Sequence, residues 1–190
     1  MPHLLTTARM DLRPFTSDDL DHLVELDSDP EVMRFLGNGR PTPRATVERE
    51  MLPRATRWYD RLGGPAFWAA IDRGTGDFLG WFELRPLEPE RPDDAELGYR
   101  LRRIAWGKGY ATEGARALVD WGLRRCGLHR IRATTMAVNV ASRRVMEKAG
   151  LTYVRTFHES WPEPIPGTEH GEVEYSVTRK TWAHRSTTDW

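Results

Sequence analysis

The chain has 190 residues, with 28 basic and 28 acidic side chains and a single cysteine. That length suits one domain with a sizeable core, the balanced charge argues against a protein that coats nucleic acid, and one cysteine excludes an internal disulfide framework. No apolar run has the length of a signal peptide core or a membrane span, so a cytoplasmic chain contacting neither nucleic acid nor membrane is expected.

Met10, Leu12 and Phe15 suggest a first strand that ends at Pro14. Thr16 or Ser17 then caps a helix whose first turn holds Asp18 and Asp19, where negative charge suits the dipole, and whose core face is Leu20, Leu23, Val24 and Leu26. A short helix follows Asp29-Pro30, carrying Val32, Met33, Phe35 and Leu36, and Gly37 to Pro41 reads as a loop. Thr42-Pro43 starts a further helix, expected to reach about Leu62 with a kink or break at Pro53. Past Gly63-Gly64-Pro65, Ala66 to Asp72 and Phe78 to Leu84 read as strands joined by a hairpin turn at residues 73–77. Pro86 to Asp94 is polar, acidic and proline-bearing, hence an expected surface loop.

Ala95 to Gly114 reads as strand, glycine turn and helix start. Ala95, Leu97, Tyr99 and Leu101 alternate with Glu96, Gly98, Arg100 and Arg102. Ala115, Leu118, Val119, Gly122, Leu123 and Cys126 then recur at helical spacing, and Gly127 ends that helix. Cys126 lies on the apolar stripe and reads as a packed core thiol. His129 to Met136 is a strand, Asn139 to Lys148 a helix, and Thr152 to Glu159 and Glu172 to Lys180 the last strands. The Pro-rich segment Ser160 to Gly171 between those strands is long enough to suggest a functional loop. This order predicts an α/β fold, a single domain over residues 1–190, with a mixed, mostly antiparallel sheet of about six to seven strands flanked by helices.

Gly107 and Gly109, between a strand and a helix N-terminus, leave backbone N–H groups facing outward with the positive end of the dipole behind them, a ready site for a diphosphate. A Walker-type loop does not fit, because Gly107-Lys108-Gly109 lacks the G-x-x-x-x-G-K-[ST] spacing. A dinucleotide fingerprint fits poorly too, since Thr112 stands at its third glycine and antiparallel-looking strands come first.

Trp106-Gly107-Lys108-Gly109-Tyr110-Ala111 resembles the acyl-CoA motif [QR]-x-x-G-x-[GA] of the GNAT superfamily of N-acetyltransferases. Asn139-Val140-Ala141-Ser142, followed by Glu147-Lys148-Ala149-Gly150-Leu151, resembles a second motif of the branch related to ribosomal-protein N-acetyltransferases. The resemblance covers nearly the whole chain and implies a GNAT-like fold and acetyl-CoA as donor to a primary amine, on a protein N-terminus or a small molecule. It implies cofactor contacts among Leu101, Arg102, Gly107, Lys108, Gly109, Ala111, Thr112, Asn139 and Ser142. Trp106 departs from the motif, where Gln or Arg is usual, and Met146 stands where many members carry a proton-donating Tyr. The other reading is an acyl-CoA-binding regulator without transfer activity.

For chemistry, Glu96 is the first candidate for general base, being on the strand that resembles the acyl-CoA strand and alternating away from the core; the other reading is an ion-paired strand carboxylate. Glu83 on the preceding strand is the second candidate. A backbone N–H near Leu101 or Arg102 is a candidate oxyanion donor. Ser142 is the candidate proton donor to the CoA thiolate, or else a helix first-turn hydroxyl, and Asn139 is divided between cofactor contact and N-cap. His129, His158 and His170 have no metal-ligand spacing, so no metal is expected. The acceptor cleft is expected between the N-terminal helices with the Gly37 to Pro41 loop and the Ser160 to Gly171 loop, with Trp58, Trp81 and Trp161 as wall candidates. Strand edges and Trp190 permit a homodimer without requiring one.

Overall fold

The computed structural model describes residues 5–60, 62–65, 67–88 and 91–185. Trp190 and Ala66, both invoked above, lie outside the described residues. One large sheet is built from β1 (Leu5–Thr6), β2 (Met10–Pro14), β3 (Phe67–Asp72), β4 (Phe78–Glu88), β5 (Arg91–Leu101), β6 (Arg130–Met136), β7 (Thr152–Phe157) and β8 (Glu172–Thr178). Its spatial order is β1-β2-β3-β4-β5-β6-β8-β7. Every neighbouring pair is antiparallel except β5 and β6, which run parallel. Parallel neighbours need a crossover, and the helix Tyr110–Arg124 supplies it.

The helices are α1 (Leu20–Ser28), α2 (Tyr110–Arg124), α3 (Val140–Lys148) and α4 (Arg179–Arg185), with shorter helical turns between β2 and β3. Alternation along the strands sorts the apolar side chains into two cores. Leu84, Leu97, Ile131 and Tyr175 pack with Leu118 and Met146 on the α2–α3 face. Phe67, Ala69 and Trp81 pack with Leu23 and Leu26 on the α1 face.

Two expectations need correction. Most of the expected loop is strand: residues 86–88 and 91–94 continue β4 and β5, which pair through Arg85↔Glu96 and Pro86↔Ala95 to Glu88↔Arg91, with a register shift between Pro86 and Glu88. Cross-strand pairing overrides local turn chemistry here, and a bulge accommodates a proline that has no N–H for the ladder. The helix expected to reach Leu62 ends at Ala55. Ahead of Pro53 the chain widens into a π-helical turn over Val47–Met51, with the Leu52 N–H donating to the Val47 carbonyl. That turn absorbs the ring that would clash with a regular helix. Trp58–Tyr59 then pairs with Gly64–Pro65 as a small ribbon. The two end elements β1 and α4 have no counterpart in the sequence reading; the strand expected to reach Lys180 turns into α4 at Arg179.

Candidate active site

The glycine turn sits where the motif placed it. Gly107 and Gly109 have φ of +71° and +85°, and Gly109 is the N-cap of α2 with no side chain capping it. The first-turn N–H groups of Tyr110, Ala111 and Thr112 therefore have no intrahelical partner and share the positive end of a 15-residue helix. A clamp from the far end of the sequence holds this turn. Arg9 Nη1 donates to the Lys108 carbonyl at 2.8 Å, and Arg9 Nε to Glu113 at 2.7 Å. The Arg9 guanidinium lies over the Tyr110 ring, whose hydroxyl donates to Asp72 at 2.6 Å. Arg9→Met is expected to weaken acetyl-CoA binding about tenfold by loosening the turn, while β2 and β3 keep their pairing; titration calorimetry with acetyl-CoA checks this.

β5 and β6 pair only through Asp94↔Arg130, Ala95↔Ile131 and Glu96↔Arg132, and then diverge. The Arg102 N–H donates to Leu79 and the Arg179 N–H to His129, which fixes the alternation on both strands. By that alternation the backbone groups of Leu97, Tyr99 and Leu101, and of Thr134 and Met136, turn into the opening. Buried backbone polar groups want partners, and an extended arm bearing amides, such as pantetheine, provides them. The Leu101 carbonyl already accepts from Trp106 Nε1 at 2.7 Å, so the unusual Trp106 ties the turn to the strand while its ring stays half-exposed. The Arg102 N–H donates to the Leu79 carbonyl and its guanidinium meets Glu25 and the Phe78 carbonyl, so of the two oxyanion-donor candidates the Leu101 N–H is the one turned into the opening.

On the α1 face, beside the opening, lie two carboxylates bridged by one guanidinium. Glu96 is in the ion-paired arrangement: Arg85 Nη2 donates to Oε2 at 2.6 Å and Thr134 Oγ1 to Oε1 at 3.2 Å. Glu83 differs. It lies directly across from Gly98, and a Cβ at Gly98 would stand 3.0 Å from Glu83 Oε2, so the glycine makes room for the carboxylate. Arg85 Nε lies 3.0 Å from Glu83 Oε1 but is not aligned for a hydrogen bond, and both atoms are buried without one. Burial raises the Glu83 pKa from 4.5 to about 7, against the charges of Arg85, Arg54 and Arg100 and with that of Glu96.

On the opposite face, the Tyr99 hydroxyl donates to the Ser142 carbonyl at 3.0 Å and lies 2.9 Å from Ser142 Oγ. Burial pushes the Tyr99 pKa up, so the phenol stays protonated. Asn139 caps α3, accepting from the Ser142 N–H at 3.2 Å while its Nδ2 donates to Thr135. Met146 is buried in the core. In sequence Tyr99 falls on the apolar stripe of β5, and the signal that sets it apart is that a buried Tyr hydroxyl needs a partner. Arg9 carried no local signal, since its partner Glu113 is 104 residues away.

Two cavities flank the opening on the α1 face. The larger, about 220 Å³, lies between Phe35 to Gly37, the end of β6, and the segment from Trp161 to Thr168. Asn38 and Glu163 bridge the two loops at 3.4 Å. Trp161 lines this cavity. Trp81 is instead buried against Phe67, and Trp58, half-exposed between Arg57 and Tyr59, lines neither cavity itself. Burial and the charge of Glu159 raise the pKa of Glu172, which also lines it. The smaller cavity, about 140 Å³, is lined by Arg54, Arg57, Tyr59, Phe67, Glu83 and Arg85.

A sheet that opens between two parallel strands beside a helix N-terminus with no side-chain cap is the arrangement that the acyl-CoA motif implies. The family model described as Acetyltransferase (GNAT) domain matches residues 9–152, and the chain belongs to that family. It is 39% identical over 186 residues to FsC-acetyl coenzyme A-N(2)-transacetylase of Aspergillus fumigatus, covering 94% of this chain and 77% of the relative. A GNAT-family acetyltransferase from Bacillus anthracis superposes with a TM-score of 0.76 at 24% identity, covering 94% of this chain and 99% of that one. Spermidine N-acetyltransferase from Vibrio cholerae, solved with CoA and spermine, gives 0.72 at 18% identity over 92% and 98%. The chain is an acetyl-CoA-dependent N-acetyltransferase acting on an amine, and these relatives do not favour a silent CoA-binding regulator. No helix among the described residues is long and apolar enough to cross a membrane.

Proposed function

We propose that the chain, as one domain over residues 1–190, acetylates an α-amine, with Glu83 rather than Glu96 as the general base. The observation that carries this is the buried Glu83 carboxylate with a pKa near 7, over Gly98 at the opening. A base poised near neutrality suits proton abstraction at working pH. An α-ammonium, with a pKa near 8, gives its proton to such a base at a cost of about 1 kcal/mol, whereas a lysine-like ammonium costs about 4–5 kcal/mol. The name of the Aspergillus relative, which specifies transfer to an N(2) nitrogen, agrees with this class of acceptor.

Acetyl-CoA lies in this reading with its diphosphate on the N–H groups of Gly107 to Thr112 and its pantetheine arm between β5 and β6, meeting Leu101 through its backbone N–H. Glu83 takes the proton from the acceptor ammonium on the α1 face. The amine attacks the thioester carbon, and the nitrogen of the tetrahedral intermediate gives its second proton to solvent. The C–S bond breaks, and the thiolate takes a proton from the Tyr99–Ser142 hydroxyl pair on the α2–α3 face, which solvent reprotonates as Glu83 releases its own proton. Lys108 adds positive charge near the diphosphate, and Asn139 positions Ser142 by capping α3. Ser142→Ala is expected to lower kcat about three- to tenfold, since Tyr99 keeps its own proton.

The test is release of CoA thiol with matched acceptors. Amines of α type should be turned over with kcat/KM at least about tenfold above ε-amines and polyamines at pH 7. Equal or faster turnover of lysine side chains or spermidine removes the α-amine reading.

A further inference from the structure

The smaller cavity differs from the larger in its charge. Arg85 is shared between Glu83 and Glu96, whereas Arg54 and Arg57 also line the cavity and neither is ion-paired among the described residues, so its basic groups outnumber its acidic ones. Arg54 lies within the turn Leu52–Ala55 and leans over the Phe67 ring at 5.8 Å, so the chain's own packing sets its guanidinium at the cavity rim. Glu83 forms part of the wall with its side chain nine-tenths buried and Oε1 without a hydrogen bond.

We propose that this cavity is an anion subsite for the acceptor: Arg54 and Arg57 hold a carboxylate, or an equivalent oxyanion, of the same molecule whose amine meets Glu83. The acceptor is then an amine that carries its own negative charge, of the amino-acid type. This rests on Glu83 marking the place of the amine.

Three observations bear on it. Guanidinium groups pair with carboxylate and related oxyanions through parallel N–H donors, and pairs of them are the usual device for fixing such a group. A polyamine or a lysine-rich peptide would bring further positive charge to a partly buried site where three arginines already face two carboxylates, which is unfavourable. The volume of about 140 Å³ holds roughly four to five waters, which suits the head of a small acid better than a folded peptide. Position agrees with charge: Glu83 links this cavity to the opening at Gly98, so an acid seated on Arg54 and Arg57 directs its amine towards the thioester.

The experiment compares α-amino acids with their carboxamides as acceptors for the intact chain, using CoA thiol release and kcat/KM referred to the unprotonated amine. The acids should be favoured by about tenfold or more, chiefly through KM, and R54Q/R57Q should collapse that ratio to within about threefold. Thermal stabilisation by acetyl-CoA, read on the same variant, shows that the fold and donor site persist. Carboxamides used as well as acids, a preference that survives R54Q/R57Q, or no acid among the acceptors turned over would each overturn the subsite; turnover of neutral amines alone assigns the acceptor to the larger cavity. The reading of Glu83 fails separately, if Glu83→Gln keeps the wild-type pH profile whatever the preference for acids.

Discussion

Replacing Glu83 by Gln is expected to lower kcat/KM by about 10²–10⁴-fold, the usual contribution of a positioned base, and at the same time to make the protein more stable at pH 8. The two effects have one cause. The Glu83 pKa is raised from 4.5 to about 7 chiefly by burial, so the fold favours the neutral carboxyl. Below about pH 4.5 the group is neutral in both folded and unfolded chains and costs nothing. Between 4.5 and about 7 the unfolded chain ionises while the folded one holds its proton, so stability falls as pH rises. Above about 7 the loss is complete, and the shift corresponds to roughly 3 kcal/mol. Gln cannot ionise and escapes this loss, so the variant should melt several degrees above the wild type at pH 8, at roughly 2–4 °C per kcal/mol, and level with it at pH 4. The wild-type profile of kcat/KM should rise through an apparent pKa near 7, and the variant's should lose that limb. A variant that keeps the limb, or whose melting difference is the same at both pH values, takes the base away from Glu83.

Reading along the chain offers Glu83 only as a second candidate, behind Glu96. Gly107 to Thr112 and Asn139 to Ser142 were legible because each is a local device: a turn that needs left-handed backbone, and a cap three residues from the N–H it accepts from. Glu83 owes its character to pairing. Its neighbour across the hairpin is Gly98, its bridging cation Arg85 also serves Glu96, and its cavity is closed by Arg54 and Tyr59 from the ribbon side. The continuation of that hairpin through Pro86 was itself hidden by turn-like composition, so the register that seats Glu83 over Gly98 was hidden with it. Glu96 looked the better base in sequence for the same reason: nothing local says that Thr134 and Arg85 will claim its two oxygens.

In the proposed mechanism the two faces of the opening divide the proton traffic. Glu83 is on the α1 face, Tyr99 and Ser142 on the α2–α3 face, and the strands part between them. A thioester lying in that gap has an acid and a base on opposite sides without the two neutralising each other, which a single cluster of side chains would not allow.

Gly80→Ala and Gly107→Ala are expected to separate the making of this opening from the binding of its ligand. Gly80 lies at the bulge where β3 and β4 change register, with φ of +137°. A Cβ there would stand 2.2 Å from the Arg100 carbonyl oxygen and 2.6 Å from Leu101 Cα. These are backbone atoms, so no rotamer change relieves the clash; β5 itself must move, at the segment whose N–H groups face the opening. Overpacking together with a backbone conformation that only glycine adopts readily costs about 3–6 kcal/mol, a large part of the roughly 5–15 kcal/mol that holds a domain folded. The expected fall in Tm is roughly 6–24 °C. Gly107 has nothing within 4 Å of its Cβ position and φ of +71°, so alanine there costs about 1–2 kcal/mol of backbone strain. Its effect falls on the ligand instead. The turn can relieve the strain by leaving the left-handed region, and its N–H groups then no longer converge on a diphosphate, so acetyl-CoA should bind at least about tenfold more weakly. Thermal melting with and without saturating acetyl-CoA reads both at once: Gly80→Ala starts low, whereas Gly107→Ala starts near wild type and gains little from the ligand. A Gly80→Ala protein that melts within about 2 °C of wild type would mean that β4 and β5 do not approach as closely as this, and a Gly107→Ala protein with unchanged affinity would move the diphosphate away from the turn.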